Sequence, residues 1–560
     1  MIRTSLILIT LSLFHFITLS QQWGEYTLYS VQNSSTAQLI DTNGTTYHSW
    51  SFGSSAKTGY SSYLMPGGTI VRTVARQGNS FNGGAICGQV QKVDWDGNLL
   101  WNYVCSTTTY CSHHDIHPMP NGNVLLIVYE LKSSAQVTQA GCQYSHTMWP
   151  DMILEVQPSG STGGNIVWEW HAWDHLVQDY NSSKDNYGVV EDHPELLDIN
   201  YNNTPQTKDW MHVNGIDYNE QLDQIVISSH FLNELYVIDH STTTEEAAGH
   251  TGGNSGKGGD ILYRWGNPAA YDASGSTIFH VVHDAHWIPA GYHHANYLVG
   301  FNNNGISFNQ SSVDLISPPY DGYTYSLIPG SAYAPTTYSL RHACNGHTNS
   351  EGGCQQLPNG NTLVCISQSG LIYEIDSNNT LLWSKTISGN SSNARRYSRC
   401  YVEGTIPQSP EITQQNDTLF SSPGESYRWF FNGNLIPGAT QSFLAPELNG
   451  NYQVAVTDEN GCESELSPPY QFELTGINEP QINIRMLVYP VPTNGSITIS
   501  EDILLEDLSE IMVFDQSGRM VVQVDPVRTL NLSSVDNGIY FLVARGINHS
   551  IYTAKIIIIR

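Results

Sequence analysis

A strand-turn phrase recurs along most of the chain, and it constrains the fold more than any other feature. Each copy joins two short apolar runs through a Pro-Gly, Asn-Gly or longer turn. The copies are "YLMPGGTIVRT" (63–73), "HPMPNGNVLLIV" (117–128), "AHWIPAGYHHANYLVGF" (285–301) and "QQLPNGNTLVCI" (355–366). Because one such unit cannot bury both of its faces alone, the units must pack on one another.

A second phrase is a hairpin that carries an aspartate or a polar turn, and it alternates with the first. Its copies begin at 92, 155, 237 and 374, as in "KVDWDGNLLWNYV" and "EIDSNNTLLWSKT". The units recur at roughly 50–90 residues, and radial stacking of such sheets makes a β-propeller. We predict six blades over residues 22–403; a large sandwich or a β-helix is the alternative.

The first 20 residues predict the destination of the protein. A short basic start at Arg3 precedes the apolar run "SLILITLSLFHFITLS", and polar sequence begins at Gln21. This pattern is typical of a secretory signal peptide (1–20), and no later segment approaches the ~20 apolar residues of a membrane span. We therefore expect an exported protein.

Charge and cysteine content narrow the class of protein. The net charge of −29 argues against nucleic-acid binding, which needs basic patches. Nine cysteines in an exported chain suggest some disulfides, and an odd count leaves at least one thiol unpaired. The close pairs Cys105/Cys111 and Cys344/Cys354 are candidates for loop clips.

Two further β regions follow the repeats. The run "YRWFFNGNLIPGATQSFLAPELNGNYQVAVTDENGC" (427–462) resembles an immunoglobulin-like module, which we place at 405–475. The segment 477–560 resembles the C-terminal sorting domain of type IX secretion in Bacteroidetes, with "YPVP" at 489–492 where the family has "YPNP". That resemblance implies outer-membrane translocation by the type IX machinery, cleavage of the tail, and a secreted or cell-surface protein.

The predicted fold class is therefore all-β: a six-bladed β-propeller, an immunoglobulin-like β-sandwich and a small β-sandwich sorting domain. Within the repeats, histidines concentrate at the start of the repeated strand or in the loop before it. Equivalent positions of successive blades face one central channel, so these histidines are expected to converge. The four stretches are "CSHHDIHPMPNGN" (111–123), "DWMHVNGIDYNEQLDQIVISSHFLNELYVID" (209–239), "VVHDAHWIPAG" (281–291) and "LRHACNGHTNSEGG" (340–353).

The cluster "HHDIH" also raises the possibility of a metal site, because His and Asp suit zinc and similar ions. The spacing i, i+1, i+4 on a strand sends side chains to opposite faces, so at most two of them share an ion. We predict no metal and no cofactor. Several other histidines are interpreted as structural, namely His117, His280, His293 and His294.

The ordered set of motifs over about residues 60–403 resembles the bacterial arylsulfate sulfotransferases. It comprises "HHDIHPMPNGN", "DWMHVNGIDYN", "GDILYRWGNPAAY", "HDAHWIP", "QQLPNGNTLVCISQSGLIYEID" and "RRYSRCY". The resemblance implies a six-bladed propeller that transfers sulfuryl groups without a nucleotide donor. The chain also shows no Gly-rich phosphate loop with a Lys in the expected context.

The resemblance also implies roles for individual residues. The family nucleophile lies in Gln-His-Asp-Ala, here Val282-His283-Asp284-Ala285, so His283 takes that role although Val replaces Gln. The family His-x-Asn pair, which binds the sulfuryl oxygens, is His212 and Asn214. An Arg usually follows this pair, and here His230 stands in its place.

His114 completes the implied set, as a group that holds the anion or protonates the leaving phenolate. Strand alternation allows only one of His113 and His114 to face the channel, and the family favours His114. Asp284 could orient a ring as a triad acid, although adjacent strand residues point in opposite directions. On a regular strand His286 faces away from His283.

Imidazole suits this chemistry. A neutral ring is nucleophilic near neutral pH, and a covalent N–S intermediate splits one transfer into two easier steps with ping-pong kinetics. Charge spreads over the non-bridging sulfuryl oxygens, so donors aimed at them contribute most to catalysis. Arg is permanently cationic and His is not, so His230 predicts weaker sulfate binding, a lower pH optimum or a different substrate.

We expect a secreted aryl sulfotransferase that moves a sulfuryl group from an aryl sulfate ester to a phenol through a sulfohistidine. Two alternatives stay open. In an aryl sulfate hydrolase, water resolves the same intermediate. In a ligand-binding or adhesion propeller, the fold persists without the chemistry, and the surface-sorting tail is compatible with that role.

Overall fold

The computed structural model describes residues 22–473, 483–500, 503–515, 519–546 and 551–560. The predicted signal peptide (1–20) lies outside these residues. Strands dominate the described chain, as the all-β prediction requires.

Three strands begin the described chain, and two complete four-stranded antiparallel sheets follow. The first three are β1 (Tyr26–Ser30), β2 (Thr36–Asp41) and β3 (Thr46–Ser51). One complete sheet holds β4 (Thr58–Leu64), β5 (Ile70–Ala75), β6 (Gly88–Val93) and β7 (Leu99–Val104). The next holds β8 (Tyr110–Pro118), β9 (Val124–Glu130), β10 (Asp151–Ser159) and β11 (Gly163–His171).

Three more four-stranded sheets continue the series, interrupted by two short pairs. The short strands β12 (Leu176–Val177) and β13 (Leu197–Asp198) pair in parallel before the sheet of β14 (Val213–Asn219), β15 (Gln224–Ser229), β16 (Glu234–Asp239) and β17 (Tyr263–Trp265). The fifth sheet is β18 (Val282–Trp287), β19 (Leu298–Ser307), β20 (Gln310–Ile316) and β23 (Leu340–Ala343). The short strands β21 (Tyr320–Asp321) and β22 (Thr324–Tyr325) form a separate pair between β20 and β23. The sixth is β24 (Gly353–Gln356), β25 (Thr362–Ile366), β26 (Leu371–Ile375) and β27 (Leu381–Thr386).

The strand β28 (Ala394–Tyr397) closes the ring. It pairs antiparallel with β1, with Tyr26 opposite Tyr397, and so completes the sheet β28–β1–β2–β3. Six four-stranded sheets result, which agrees with the predicted six blades. Closure protects the sheet edges that an open array would expose. The strands β4, β8, β14, β18, β24 and β28 each contact the next in chain order and line the inside of the ring.

The repeated phrase is the connection between the first two strands of a blade. In its tight copies the backbone N–H of Met65, Met119 and Leu357 donates to the carbonyl four residues on, at 2.8 to 2.9 Å. Gly122 and Gly360 both have φ near +86°, a conformation that glycine adopts without strain. The Asn-Gly sequence is therefore a requirement of the turn.

Apolar side chains fill the spaces between neighbouring blades. Six of the seven residues of β9 are buried, because a blade is covered on both faces. Between the second and third sheets Val90, Leu126 and Leu154 pack together, all at most 1% exposed. Continuous apolar strands of this kind explain why the sequence lacks a simple alternation.

Helices are short and lie in connections. The α-helices are α1 (Ser134–Gln139), α2 (Thr244–Ala247) and α3 (Arg399–Glu403). Single 3₁₀ turns are Ala172–Asp174, Val190–Asp192, Pro268–Tyr271, Ser367–Ser369 and Leu505–Asp507. Within the ranges that the structure describes, no helix is long and apolar enough to cross a membrane.

Seven strands occupy 405–475, where an immunoglobulin-like module is predicted. They are β29 (Ile412–Gln415), β30 (Thr418–Ser421), β31 (Ser426–Phe431), β32 (Asn434–Leu435), β33 (Phe443–Leu444), β34 (Gly450–Thr457) and β35 (Tyr470–Phe472). They form two sheets, ordered β29–β30–β33 and β32–β31–β34–β35. The boundaries of this module stay a prediction.

The C-terminal segment forms two further sheets. Its strands are β36 (Asn483–Arg485), β37 (Val488–Tyr489), β38 (Ser496–Ile499), β39 (Leu508–Asp515), β40 (Met520–Val524), β41 (Thr529–Asn531), β42 (Gly538–Gly546) and β43 (Ile551–Ile558). The sheets run β36–β43–β42–β39–β40 and β37–β38–β41. Ile497, Leu542 and Ile556 are fully buried in the core of this region.

Two compact units divide the chain. The first runs to Ile412 and adds Ser421–Ser442 and Asn451–Tyr470. The second comprises Thr413–Phe420, Phe443–Gly450 and Gln471–Arg560.

The expected disulfides are wrong. Cysteines 400 and 462 form a disulfide, whereas the cysteines of both predicted pairs are buried thiols. The expectation relied on closeness in sequence alone. Burial raises the pKa of Cys105 and of Cys344 to about 12, which keeps both thiols protonated and unreactive.

Candidate active site

His283 lies on the inner strand β18 and is 1% exposed. Its Nδ1 lies 2.7 Å from Oδ1 of Asn303, and the backbone N–H of Glu351 donates to its Nε2 at 3.1 Å. An amide oxygen only accepts, so the proton is on Nδ1 and the lone pair is on Nε2. Burial lowers the pKa of His283 well below its usual value, and the nearby His230 lowers it further. The ring is therefore neutral with a basic nitrogen at Nε2.

The strand β18 bulges directly after His283. Its pairing with β19 shifts register between His283 and His286, and Asp284 has φ of +54°. The Asp284 carboxylate accepts from the backbone N–H of Cys354 at 2.7 Å and pairs with Arg395 at 2.8 Å. Asn303, not Asp284, is therefore the partner of the His283 ring.

His230 follows β15 and meets His283 edge to face, with 5.3 Å between ring centroids. Its own Nδ1 is buried without a hydrogen-bond partner. Burial, with a smaller contribution from the adjacent His212, lowers the pKa of His230 to about 4. His230 thus places a neutral ring with one unused nitrogen beside His283.

His212 lies immediately before β14, with φ of +53°. Its ring centroid is 4.9 Å from that of His230. Nδ1 of His212 lies 2.5 Å from Oδ2 of Asp209, and Tyr129 donates to the same oxygen at 2.7 Å. The carboxylate holds the proton on Nδ1 and leaves Nε2 of His212 without this partner.

His114 on β8 brings a fourth ring, 4.6 Å from His212 and 5.0 Å from Tyr60. Nδ1 of His114 lies 2.7 Å from Nδ1 of His113, whose Nε2 lies 2.8 Å from Oδ1 of Asp151. Burial lowers the pKa of both histidines well below the usual value. His114 is thus the one that meets the other rings, while His113 connects it to a buried carboxylate.

We call His114, His212, His230 and His283 the histidine cluster. Each ring lies within 4.6–5.3 Å of the next, centroid to centroid. The cluster forms because inner strands of different blades meet around one axis.

Asn214 is placed differently from the sequence prediction. Its amide donates to the carbonyl of Val282 at 2.8 Å, and its oxygen accepts from Ser228 at 2.6 Å. The register of β14 shifts between Val213 and Gly215, so residues 212 and 214 do not share one face as i and i+2 do on a regular strand. Asn214 bonds to the backbone beside the nucleophile position.

Several partners of the cluster carried no signal in the sequence. Asn303, Glu351 and Asp151 come from distant strands and loops, and only their contacts in the folded chain show that they support the cluster. Asp209 had a weak signal, three residues before His212 in "DWMH".

The histidines interpreted as structural lie outside the cluster. His117 pairs with Asp217 at 2.9 Å, and His293 and His294 meet edge to face at 4.0 Å. His280 is exposed. "HHDIH" does not gather around one point: within the described ranges, groups with the geometry of a metal site are His175–His250–Asp260 and Asp284–His286–Cys354. In the second group, Arg395 already neutralises the carboxylate.

Comparisons with known proteins agree with the site and with the C-terminal region. The family model described as arylsulfotransferase (ASST) matches residues 62–388, which include the whole histidine cluster. The model for a secretion system C-terminal sorting domain matches residues 487–559. This second match indicates export, to the cell surface or the medium. No curated protein matches the chain.

Similar solved structures are distant. They include a protein of unknown function from Bacteroides caccae, with 11% identity over 66% of this chain and 98% of that chain and a TM-score of 0.37. The periplasmic gluconolactonase of Pseudomonas aeruginosa has 9% identity, covers 80% and 96%, and has a TM-score of 0.33. Apo AztD from Citrobacter koseri has 11% identity, covers 80% and 97%, and has a TM-score of 0.28. Likenesses at these scores carry no argument about function.

Proposed function

Since the chain belongs to the arylsulfotransferase family, we propose that it transfers a sulfuryl group from an aryl sulfate ester to a phenol through a sulfohistidine at His283. The observation that supports this most is the arrangement at His283. Its Nδ1 proton is held by Asn303, and three other imidazoles extend from it in a row, His230, His212 and His114. A binding scaffold has no use for a buried, neutral, oriented imidazole of this kind.

The first half-reaction uses the Nε2 lone pair of His283. Nε2 attacks sulfur, an N–S bond forms, and the S–O bond to the aryl group breaks with its electrons on the leaving phenolate. The Asn303 oxygen stabilises the cationic ring as it forms, because it accepts from Nδ1–H at 2.7 Å. The backbone N–H of Glu351 faces Nε2 in the free protein and turns to a sulfuryl oxygen when the substrate occupies that place.

The sulfuryl oxygens meet His212 and His230. Asp209 accepts a hydrogen bond from the Nδ1–H of His212, so Nε2 of a neutral His212 carries a lone pair. Nε2 can donate to a sulfuryl oxygen only when the ring is doubly protonated. His230 is neutral in the free protein and donates one hydrogen bond from a ring without a fixed partner. The family Arg would supply a permanent charge there, so His230 makes sulfate binding weaker than in relatives with Arg.

Protonation of the leaving phenolate is assigned to His114. Burial raises the pKa of Asp151 well above its ordinary value, so a protonated Asp151 donates to Nε2 of His113, whose Nδ1–H donates to Nδ1 of His114. The proton of the neutral His114 is then on Nε2, from which it goes to the phenolate. The three groups form a hydrogen-bonded row along which a proton can return to His114. In the second half-reaction the acceptor phenol gives its proton to the same row, its oxygen attacks sulfur, and the N–S bond breaks.

The partners follow from this chemistry and from the sorting domain. The small molecules are an aryl sulfate donor and a phenolic acceptor, and no cofactor takes part. We place the propeller at 22–403 and the sorting domain at 477–560, and assign export to the type IX machinery, which recognises such a tail.

Trapping the intermediate tests this proposal. The full chain is incubated with 4-nitrophenyl sulfate without acceptor, digested, and analysed by mass spectrometry for a sulfated peptide that contains His283. Addition of phenol should discharge the peptide and produce phenyl sulfate. His280→Ala, three residues away and exposed, is the matched control and should still form the adduct.

Two results would contradict the proposal. Binding of 4-nitrophenyl sulfate with neither adduct nor turnover identifies a binding propeller. An adduct that water discharges as fast as phenol does identifies a hydrolase.

A further inference from the structure

Three side chains from separate segments meet outside the histidine cluster. His175 precedes β12, while His250 and Asp260 lie in the glycine-rich loop between α2 and β17. Nδ1 of His175 lies 2.9 Å from Oδ1 of Asp260, and Nδ1 of His250 lies 2.7 Å from the same oxygen. The three potential ligand atoms all lie within 4.8 Å of one another.

The surroundings of His175 define what its two nitrogens do. The side chain is fully buried, and its Nε2 lies 2.9 Å from the backbone carbonyl of Ala247. A carbonyl only accepts, so the ring proton of a neutral His175 is on Nε2 and the Nδ1 lone pair faces the Asp260 carboxylate. Two electron-rich atoms at 2.9 Å need either a proton or a metal ion between them.

This arrangement is the usual one for a histidine that binds a metal. Such a ring binds through one nitrogen and donates its other N–H to a backbone carbonyl or carboxylate, which fixes the ring orientation. Ala247 supplies that carbonyl at the end of α2, and the helix is capped by Thr243 and Glu246. The outer partner of His175 is thus held by regular structure.

The loop is built closely around the ring. A Cβ on Gly259 would lie 1.9 Å from the Ala247 carbonyl oxygen and 2.7 Å from Nε2 of His175, so only glycine allows this approach. Trp170 stacks parallel to His175 with 5.7 Å between centroids, and its Nε1 donates to the Gly259 carbonyl at 2.7 Å. Asp260, the next residue, is thereby positioned against the ring.

We propose that Nδ1 of His175, Nδ1 of His250 and the Asp260 carboxylate bind a divalent transition-metal ion, Zn²⁺ by preference. Two imidazoles and one carboxylate are a ligand set that zinc accepts, with water in a fourth position. The side chain of His250 is 60% exposed, which leaves room for that water on the solvent side. The ion joins the glycine-rich loop to the segment before β12. None of its three ligands belongs to the histidine cluster.

Metal content and stability test this site. The full chain is stripped with EDTA, incubated with ZnCl₂, separated by gel filtration, and assayed for zinc per chain. We expect about one ion per chain and a higher Tm in zinc than in EDTA, since an ion that binds only the folded form stabilises it. Co²⁺ in place of Zn²⁺ should give the visible absorption of a protein-bound ion.

The main variant is His250→Ala, because an exposed side chain can be removed without loss of the fold. It should weaken zinc affinity by roughly 100-fold or more, beyond the cost of losing an outer partner of a ligand. Asp260→Asn should do the same. His193→Ala is the control, since His193 is also exposed and paired with an acid, Glu195 at 3.0 Å.

The proposal is wrong if the wild type carries no more zinc than His250→Ala, or if zinc leaves its Tm unchanged. Either result reduces the three residues to a hydrogen-bonded group in which a second proton on His175 takes the place of the ion. Both results are independent of sulfuryl transfer, which uses other residues.

Discussion

Two sets of buried histidines in the same propeller differ in what faces each ring. In the histidine cluster His283 bonds to the neutral amide of Asn303 and His230 faces only other rings, and burial lowers the pKa of His230 to about 4. His240 instead bonds to Asp223 at 2.7 Å and Glu155 at 3.0 Å. Burial alone would lower its pKa, but these two bonds raise it to about 9.

The comparison separates chemistry from structure within one residue type. A neutral imidazole has a lone pair to offer to sulfur, whereas an imidazolium between two carboxylates has none. Residue identity and burial are shared by both sets, so neither property marks the reactive histidine. The reactive histidine is marked by the atoms to which its ring nitrogens bond.

The largest expected effect is at His283. His283→Ala should lower kcat for transfer from 4-nitrophenyl sulfate to phenol by roughly 10⁴-fold or more, because loss of a covalent nucleophile leaves only binding and oxyanion contacts. The measurement is release of 4-nitrophenol with phenol present. His240→Gln is the comparison and should change kcat by less than about twofold, as expected of a residue remote from the reacting atoms. Equal losses in the two variants would falsify the distinction between the sets.

The next effect concerns the row Asp151–His113–His114. His113→Gln should lower kcat/KM for phenyl sulfate by roughly 10–100-fold, since general acid assistance is worth about 10²–10⁴-fold and part of it remains in His114. The loss for 4-nitrophenyl sulfate should be smaller, because its phenolate needs little protonation. A comparison of the two donors in the same variant is its own control. An equal loss for both donors would show that His113 only supports the fold.

A smaller effect is expected at His230. At pH 7 this ring is neutral because its pKa is about 4, so it brings no charge to the sulfate. His230→Arg should lower KM for 4-nitrophenyl sulfate by roughly tenfold, as a charged hydrogen bond replaces a neutral one. His230→Gln is the control and should keep KM within about threefold of the wild type, because a neutral donor replaces a neutral donor. Identical KM values for the Arg and Gln variants would mean that position 230 does not contact the anion.

The repeated turn predicted most of the fold, for a physical reason. An Asn-Gly turn between apolar runs is a local signal, and Gly122 and Gly360 adopt the conformation that it requires. Blade number and the convergence of three of the four histidine stretches follow from repetition alone. The histidines of the fourth stretch do not join the cluster: His342 bonds to Tyr373 and His347 to Asn304.

The details of the site could not be predicted, because they depend on exceptions to regular strands. His114, His212 and Asp284 all have φ between +49° and +54°, where non-glycine residues are uncommon, and bulges accompany them. Alternation along a regular strand therefore does not describe the relation between positions 212 and 214. The hydrogen-bond partner of His283, Asn303, comes from the neighbouring strand and has no sequence signature.

The smallest effect on activity is expected at His240, where substitution should instead lower the stability of the fold. The two carboxylates raise the pKa of His240 from its ordinary value of 6.5 to about 9. The stabilisation that this shift represents is fully present below pH 6.5 and is lost as the pH rises through about 9. At neutral pH it amounts to at most about 3 kcal/mol. His240→Gln should therefore lower Tm at pH 6, and the gap to the wild type should narrow above pH 9.

Thermal unfolding at pH 6, 8 and 10 measures that gap. His193→Gln is the matched control, because His193 is 43% exposed and its pair with Glu195 contributes little. A gap for His240→Gln that stays constant from pH 6 to pH 10 would mean that packing, not the charge between Asp223 and Glu155, is what the ring provides. A gap that narrows would establish that His240 stabilises the propeller in its charged form, whereas His230 and His283 are neutral in the same pH range.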